Sequence, residues 1–450
     1  MREFVTDLLS RHGDDVPVFS HRDTVTHGGL RAAVAAEAGL LAASGVGEGS
    51  TVAVQVPPSF TQLEVVLALW TLGARVVSID HRLTPVEVEV LRGLCRPQFT
   101  VRATDGAPAV FRERYELVVS ALPDGVPAAS GHRLVQFSSG STGTPKVIGR
   151  STASLIREVH RFGAAEGMTR HGERHLLLNS TAHSFGLVGG LLHALAVGVH
   201  LVFAGGRSAR EVLRTAAEHR VDVLTGLPLH FDVLGAEPDR SALRSVRGAF
   251  AGGELMPPEV AARFAAAYGF RVGECFGTTE TGALTMDFAG VTRPSVGAVL
   301  GDTTLRVRDG LVEVALDESP YLSGDDGTRY ADGWFRTGDR GEFDARGNLV
   351  LLGRSDSLVV VYGSKVDLTE VEAALRAHPD VTEAIAVYDG AIEAYVGTTG
   401  DELSAEAVRA WCAERLADFK LPRRFHVLRA LPRTPSGKLV RNPRALAAAR

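Results

Sequence analysis

Cysteine is scarce in this chain. Three occur in 450 residues, Cys95, Cys275 and Cys412, far apart and without a CxxC pair. That spacing argues against a disulfide scaffold and a cysteine-rich zinc site, and it fits a reduced compartment. Positive charge is not in surplus either. Lys and Arg total 48 against 53 Asp and Glu, a formal net charge of −5. With no basic excess to meet a phosphate backbone, no nucleic-acid partner is expected. No export signal is expected either, since Met1-Arg-Glu-Phe-Val-Thr-Asp7 carries charges where a signal peptide needs an apolar run. One uncharged run, residues 187–206, is twenty positions long and could cross a bilayer. Its five glycines and two histidines divide it into a helix and then a strand at 200–204, the pattern of a buried helix–strand unit. No membrane span is expected, and the chain reads as cytoplasmic. Internal repeats and low-complexity tracts are absent.

Apolar residues, by contrast, are plentiful. They make up 45% of the chain against 22% charged, enough for a large core, and the length implies two or three lobes. From about residue 30, helical periodicity alternates with short apolar strands: helix at 30–44, strand at 51–56, helix at 62–72, strand at 74–79. The strands recur at 134–137, 176–179, 201–203 and 221–224. This rhythm predicts an α/β fold of helix-covered, mostly parallel sheets. Beyond residue 295 the strands shorten and pair across turns such as Arg308-Asp-Gly310 and Asp344-Ala-Arg-Gly347, as in an antiparallel β subdomain. A polar break, Gly353-Arg354-Ser355-Asp356, precedes a strand, helix, strand, strand, helix segment whose first helix opens on the capping box Asp367-Leu-Thr-Glu370. The predicted organisation is a large N-terminal domain at 1–353, a hinge at 354–357 and a small α+β C-terminal domain at 358–450.

The strongest local signal is Phe137-Ser138-Ser139-Gly140-Ser141-Thr142-Gly143-Thr144-Pro145-Lys146, which follows an apolar strand and is read as preceding a helix. Its glycines let backbone approach a ligand, its amides and hydroxyls can donate to phosphate oxygens, and Lys146 adds a cation. The Walker spacing is absent, and a flexible linker is the bland alternative. A second patch, Gly273-Glu-Cys-Phe276-Gly277-Thr278-Thr279-Glu280-Thr281-Gly282, offers a threonine to a phosphate and a hard carboxylate to Mg²⁺. Alone, it could equally be a turn with a capped helix start. In Trp334-Phe-Arg-Thr337-Gly338-Asp339 an aspartate after a tight turn could accept from ribose hydroxyls, and Pro432-Arg-Thr-Pro-Ser436-Gly437-Lys438 presents one lysine on a polar turn. Two other patterns come out bland. His171-Gly-Glu-Arg-His175 reads as a solvated loop rather than a metal site. Gly45-Val-Gly47-Glu-Gly49 precedes a strand and so fails the dinucleotide fingerprint.

Taken in order, with Gly353-Arg354-Ser355-Asp356 between the last two, these motifs resemble the acyl-adenylate-forming superfamily. That family holds the acyl- and aryl-CoA synthetases, the adenylation domains of nonribosomal peptide synthesis and the beetle luciferases. The segment 69–80 is similar to an early family motif and Ala251-Gly252-Gly253-Glu254 to its adenine-side turn, so the resemblance covers nearly the whole chain. It implies a ligase using ATP and Mg²⁺. Ser138, Ser139, Ser141, Thr142 and Lys146, with Gly140 and Gly143, would hold the triphosphate, Thr279 the α-phosphate and Glu280 the metal. Asp339 and Arg354 would take the ribose, and Gly253, Glu254, Phe276 and Gly277 would complete the nucleotide site. His183, in Asn179-Ser-Thr-Ala-His183-Ser-Phe-Gly186, would gate an acyl pocket bounded by Ser184, Phe185, Gly252, Gly277 and Gly282; a buried core histidine is the alternative. Asp356 would be the hinge. Lys438, carried across by the small domain, would meet the reacting carboxylate and the α-phosphate.

Such chemistry needs counter-charge. An anionic carboxylate must attack phosphorus in a polyanion, and two unit charges 4 Å apart repel by about 4 kcal/mol at intermediate dielectric. Loop amides, Lys146, Mg²⁺ and Lys438 are the available offsets. Three positions depart from the family pattern: Val147 where glycine is common, Phe276 where tyrosine is frequent, and Val360 where many members have lysine. Val360 and Tyr362 lie in the segment that the resemblance turns toward the site for thioester formation. No aspartate accompanies His183 to pair an α-amine, so an uncharged acyl or aryl acid is expected as substrate. CoA is the expected acceptor. The rivals are a phosphopantetheine carrier protein, an amine, and lastly a non-catalytic ATP-binding protein, which Glu280 and Lys438 argue against.

Overall fold

The computed structural model describes residues 1–83, 85–104, 111–138, 145–323, 327–361, 364–400, 403–416, 420–434 and 437–449. Its largest sheet has six parallel central strands, Val272–Thr278, Gly248–Gly252, Val223–Gly226, Arg174–Leu177, His200–Val202 and Pro17–Ser20. Antiparallel strands Gly282–Asp287 and Ala298–Val299 extend one edge, and Thr24–Thr26 extends the other. The second sheet has four parallel strands, His132–Ser138, Arg75–Ser78, Thr51–Gln55 and Phe99–Ala103. Leu117–Ala121 flanks them on one side, and Lys146–Ser151 and Tyr321–Ser323 on the other, all antiparallel. The predicted helix-covered, mostly parallel architecture is therefore present.

The helix Phe60–Thr71 is buried on nearly every face and shares one core with strands of both sheets, including Val52, Val54, Phe19 and Leu201. An all-round apolar helix belongs in such a place. The Gln62 amide donates to Ser59 Oγ at 3.0 Å and caps its start. The helix Thr152–Ala164 is amphipathic instead. Its buried stripe is Leu155, Glu158, Val159 and Phe162, spaced as a helix face requires, with a carboxylate in the middle.

Downstream, Leu305–Arg308, Leu311–Ala315, Trp334–Phe343, Tyr330–Ala331 and Leu349–Arg354 form the antiparallel subdomain. Residues beyond 357 form two sheets of their own, Leu358–Val361 with Ser364–Asp367, and Glu383–Tyr388, Ile392–Gly397 and Arg424–Leu428. Their apolar side chains gather into separate clusters around Val371, Leu375 and Val408 and around Ile385 and Tyr395.

Three local readings are corrected. The Ser/Thr/Gly loop does not run into a helix: Lys146 opens a strand antiparallel to His132–Ser138, and the helix begins only at Thr152. Val147 and Ile148 are β-branched, and pairing on both edges favours the strand. The second patch does not start a helix either, since residues 279–281 turn a β-hairpin. His175 is no loop residue. It is buried within Arg174–Leu177, with its Nε2 2.9 Å from Thr225 Oγ1. The run at 187–206 does divide into helix and strand, although its helix begins as π-helix, Phe185–Leu192, before His193–Val197.

Candidate functional site

Strand pairing brings distant residues together around Lys146. Tyr321 is paired with Ile148 in register, which sets its ring 4.9 Å from Lys146 Nζ. The Tyr321 hydroxyl donates to Glu280 Oε1 at 2.9 Å. An ammonium and a carboxylate thus flank one phenol. Ser139, Gly140, Ser141, Thr142 and Gly143 lie outside the described residues, as does Tyr362, while Ser138 ends its strand. No motif marked Tyr321, because its role comes from a register that only the fold defines.

Beneath the 279–281 turn lies an ion pair. Arg150 and Glu158 side chains are 2% and 1% exposed, and Arg150 Nη2 donates to Glu158 Oε2 at 2.9 Å. Glu158 Oε1 accepts from the Ala283 amide at 3.1 Å, and Arg150 Nη1 makes longer contacts to Thr279 O and Ser184 Oγ, 3.5 and 3.4 Å. Gly282, at φ +72°, is required here: a Cβ would stand 2.2 Å from Glu158 Oε2. One buried pair therefore ties the Thr279–Glu280 turn to the residue after His183. A charge on the apolar stripe of the helix Thr152–Ala164 was the sequence signal for it.

His183 is 43% exposed, so it is not a core histidine. Its position is fixed from behind, where Ser78 Oγ and Gln136 Nε2 donate to Ala182 O at 2.8 and 3.0 Å. His183 Nε2 stands 3.6 Å from Asp80 Oδ2, an electrostatic contact beyond hydrogen-bond length. Burial opposes the Asp80 charge, but His183 and the Arg82 amide and guanidinium outweigh it and hold the carboxyl well below the usual carboxylate range. Phe185 packs on Gly252, its ring 2.7 Å from where a Cβ would be, and a Cβ on Gly277 would lie 2.3 Å from the Gly282 carbonyl oxygen. Phe276 packs instead beside Val296, Val312 and Leu349.

Asp339 and Arg354 face each other in register, Oδ1 to Nη1 3.4 Å. Gly338 between them has φ +81°, and a Cβ there would lie 2.2 Å from Arg329 Nη1. Asp356 sits in the single turn Ser355–Ser357. Lys438 ends a tight turn in which the Gly437 amide donates to Thr434 O at 2.8 Å and the Lys438 amide to Thr434 Oγ1 at 3.1 Å. Its Cε comes 3.8 Å from the place of a Cβ on Gly253, and Glu254 is near enough to act on Arg433. Among the described residues no helix is long and apolar enough to cross a membrane, and no three His, Cys, Asp or Glu side chains form a metal-binding group.

Comparison with known proteins yields two family matches. A model described as AMP-binding enzyme covers residues 6–319, and one described as AMP-binding enzyme C-terminal domain covers 370–438. The chain is 30% identical to sulfoacetate–CoA ligase of Cupriavidus necator, over 91% of this chain and 90% of that one. It is 28% identical to 4-chlorobenzoate–CoA ligase of an Arthrobacter species, over 94% and 90%. In fold it resembles o-succinylbenzoate coenzyme A synthetase (MenE) from Bacillus subtilis, solved with ATP and magnesium ion, at TM-score 0.80 and 23% identity over 98% of both chains.

Proposed function

The chain belongs to the AMP-binding enzyme family, and on that premise we propose that it is an AMP-forming acid–thiol ligase. It would activate a carboxylic acid with ATP as acyl-AMP, release pyrophosphate and pass the acyl group to the thiol of CoA. Relatives named as CoA ligases, matching over nine-tenths of the chain, support that acceptor.

The observation that carries the reading is the approach of Lys438 to Gly253, which sets an ammonium from the last residues against the turn beside the nucleotide motifs. A substrate carboxylate oxygen attacks the α-phosphorus, and the bond to pyrophosphate breaks. Lys438 neutralises the charge that gathers on the reacting oxygens, and Thr279 donates to the α-phosphate. Lys146 and the loop before it hold the outer phosphates, and Asp339 and Arg354 the ribose. Glu280 is a single hard carboxylate steadied by Tyr321, which suits Mg²⁺, an ion that takes one or two carboxylates plus substrate phosphates. The metal would supply charge screening between the phosphates. His183, half-buried and held against Asp80, lines the path to the reacting carbonyl. The 358–450 module then turns about Asp356, withdraws Lys438 and admits the thiol.

A pyrophosphate-release assay over a panel of carboxylic acids, with and without CoA, tests this. Acid-dependent release followed by a CoA thioester is expected. Thioester formed only on a carrier protein would replace the acceptor, and no release with any acid would reduce the chain to an ATP-binding protein.

A further inference from the structure

A cavity of about 100 Å³ opens beyond the ends of the parallel strands Arg174–Leu177 and His200–Val202. The carboxyl ends of parallel strands are where α/β sheets bind ligands. Its floor is apolar, Leu178, Phe203 and Val212, and its rim carries Arg82 and Arg207. Arg82 is already committed, donating to both Asp80 oxygens at 3.1 and 3.0 Å. Arg207, on the exposed rim, has no hydrogen bond or ion pair among the described residues; partial burial and the neighbouring Arg82 disfavour its charge, and Asp80 favours it. Asn179 is only 9% exposed, yet its Oδ1 has no hydrogen-bond partner. Buried amides are rarely left so, and amide oxygen and nitrogen can exchange places to donate.

The charge balance is one-sided. The lining carries two guanidinium groups; Asp80 is bound to one of them, and Glu211, which approaches Gly205 and Gly206, is paired with Arg214. His81 and His230 are both biased toward their neutral forms. Burial lowers both, and His230, near Arg207 and Arg433, is held at about 4. The cavity also borders the reaction centre on two sides. Asp80, which fixes Arg82, contacts His183. His230 Nδ1 accepts from the Leu227 amide at 3.0 Å, and the Leu227 side chain reaches Gly253 and Gly437, the neighbours of Lys438.

We propose that this cavity binds a second acidic group of the substrate, a carboxylate or sulfonate on the acid being activated, through Arg207 and the Asn179 amide. The inference rests on the ligase reading and deepens it: the substrate is a short acid with an anionic far end, in place of the uncharged acid expected from the sequence. An α-ammonium group would meet the same cations and be refused, in keeping with the missing aspartate near His183.

Matched acids test it: acetate against malonate and sulfoacetate, propionate against succinate. Pyrophosphate release should show kcat/KM about tenfold or more in favour of the diacid, the worth of one charge-assisted contact. Arg207→Met, at an exposed position that the fold does not need, should bring that ratio close to one by raising KM for the diacid, and Asn179→Leu should lower it. Melting temperature gives a readout free of catalysis. Malonate and sulfoacetate should stabilise the native protein, acetate should not, and Arg207→Met should abolish the difference. Release with monoacids at equal or better efficiency would overturn the inference and leave the ligase reading standing. A diacid preference that survives Arg207→Met, with KM for CoA raised instead, would also overturn it and assign the cavity to the acceptor's phosphates. Should no acid release pyrophosphate, the ligase reading fails and the melting experiment still decides the cavity.

Discussion

Replacing Arg150 by methionine isolates the support beneath the Thr279–Glu280 turn. The guanidinium is 2% exposed and its partner Glu158 1%, so the variant leaves a buried carboxylate without its counter-charge. Breaking a buried pair in this way costs about 3–5 kcal/mol. For a domain of a few hundred residues that corresponds to a fall in Tm on the order of 10 °C. Adding Glu158→Leu removes the stranded charge. The main remaining debt is the Ala283 amide, which loses its acceptor at a cost of about 1–3 kcal/mol. The double variant should therefore melt above the single one. Activity should not follow, because both lose the anchors that hold the turn. Scanning calorimetry and urea titration read the stability, and pyrophosphate release reads the turn. A single variant costing less than about 1 kcal/mol, a double variant less stable than the single, or full activity in the double would refute the reasoning.

Tyr321→Phe removes the hydrogen bond to Glu280 and should raise KM for Mg·ATP about fivefold, the worth of ~1 kcal/mol, with little change in Tm. An unchanged KM would mean that the phenol does not orient the carboxylate. Gly338→Ala forces a side chain at φ +81° against Arg329; a Tm lower by several degrees and a raised KM for ATP are expected, and unaltered values would contradict the strain. Burial holds His175 at about 3 and His193 at about 4, against an ordinary 6.5. The unfolded chain then binds more protons below pH 6.5, so stability falls as pH drops from 6.5 toward 4, by about 1.4 kcal/mol per unit for each histidine. Thermal melts between pH 7 and 4.5 should show that slope, and His193→Gln should flatten it. A pH-independent Tm would contradict it.

The alternation of helices and strands was readable because each element carries its own period: the apolar helix after Ser59 and the strand Thr51–Gln55 each stand within a few residues of the reading. The sequence also showed the site motifs as a series, since each is a short run of Gly, Thr and charge. Hidden were the features made by pairing. Lys146–Ser151 is a strand because two neighbours bond to it, and its two β-branched residues alone cannot declare that. His175 reads as polar loop until its ring is seen to meet Thr225 inside the sheet. Tyr321, Arg150 and Asp80 stand far in sequence from the residues they steady, so no local spacing links them to Glu280, Thr279 or His183.

Adenylate formation assisted by Lys438 is tested most directly by exchange of labelled pyrophosphate into ATP, in the native protein and in Lys438→Ala. Expected is exchange that requires the acid and falls by at least ~10² in the variant, while thioester formation from supplied acyl-AMP largely persists. Exchange without acid, an unimpaired variant, or equal loss of both steps would contradict it.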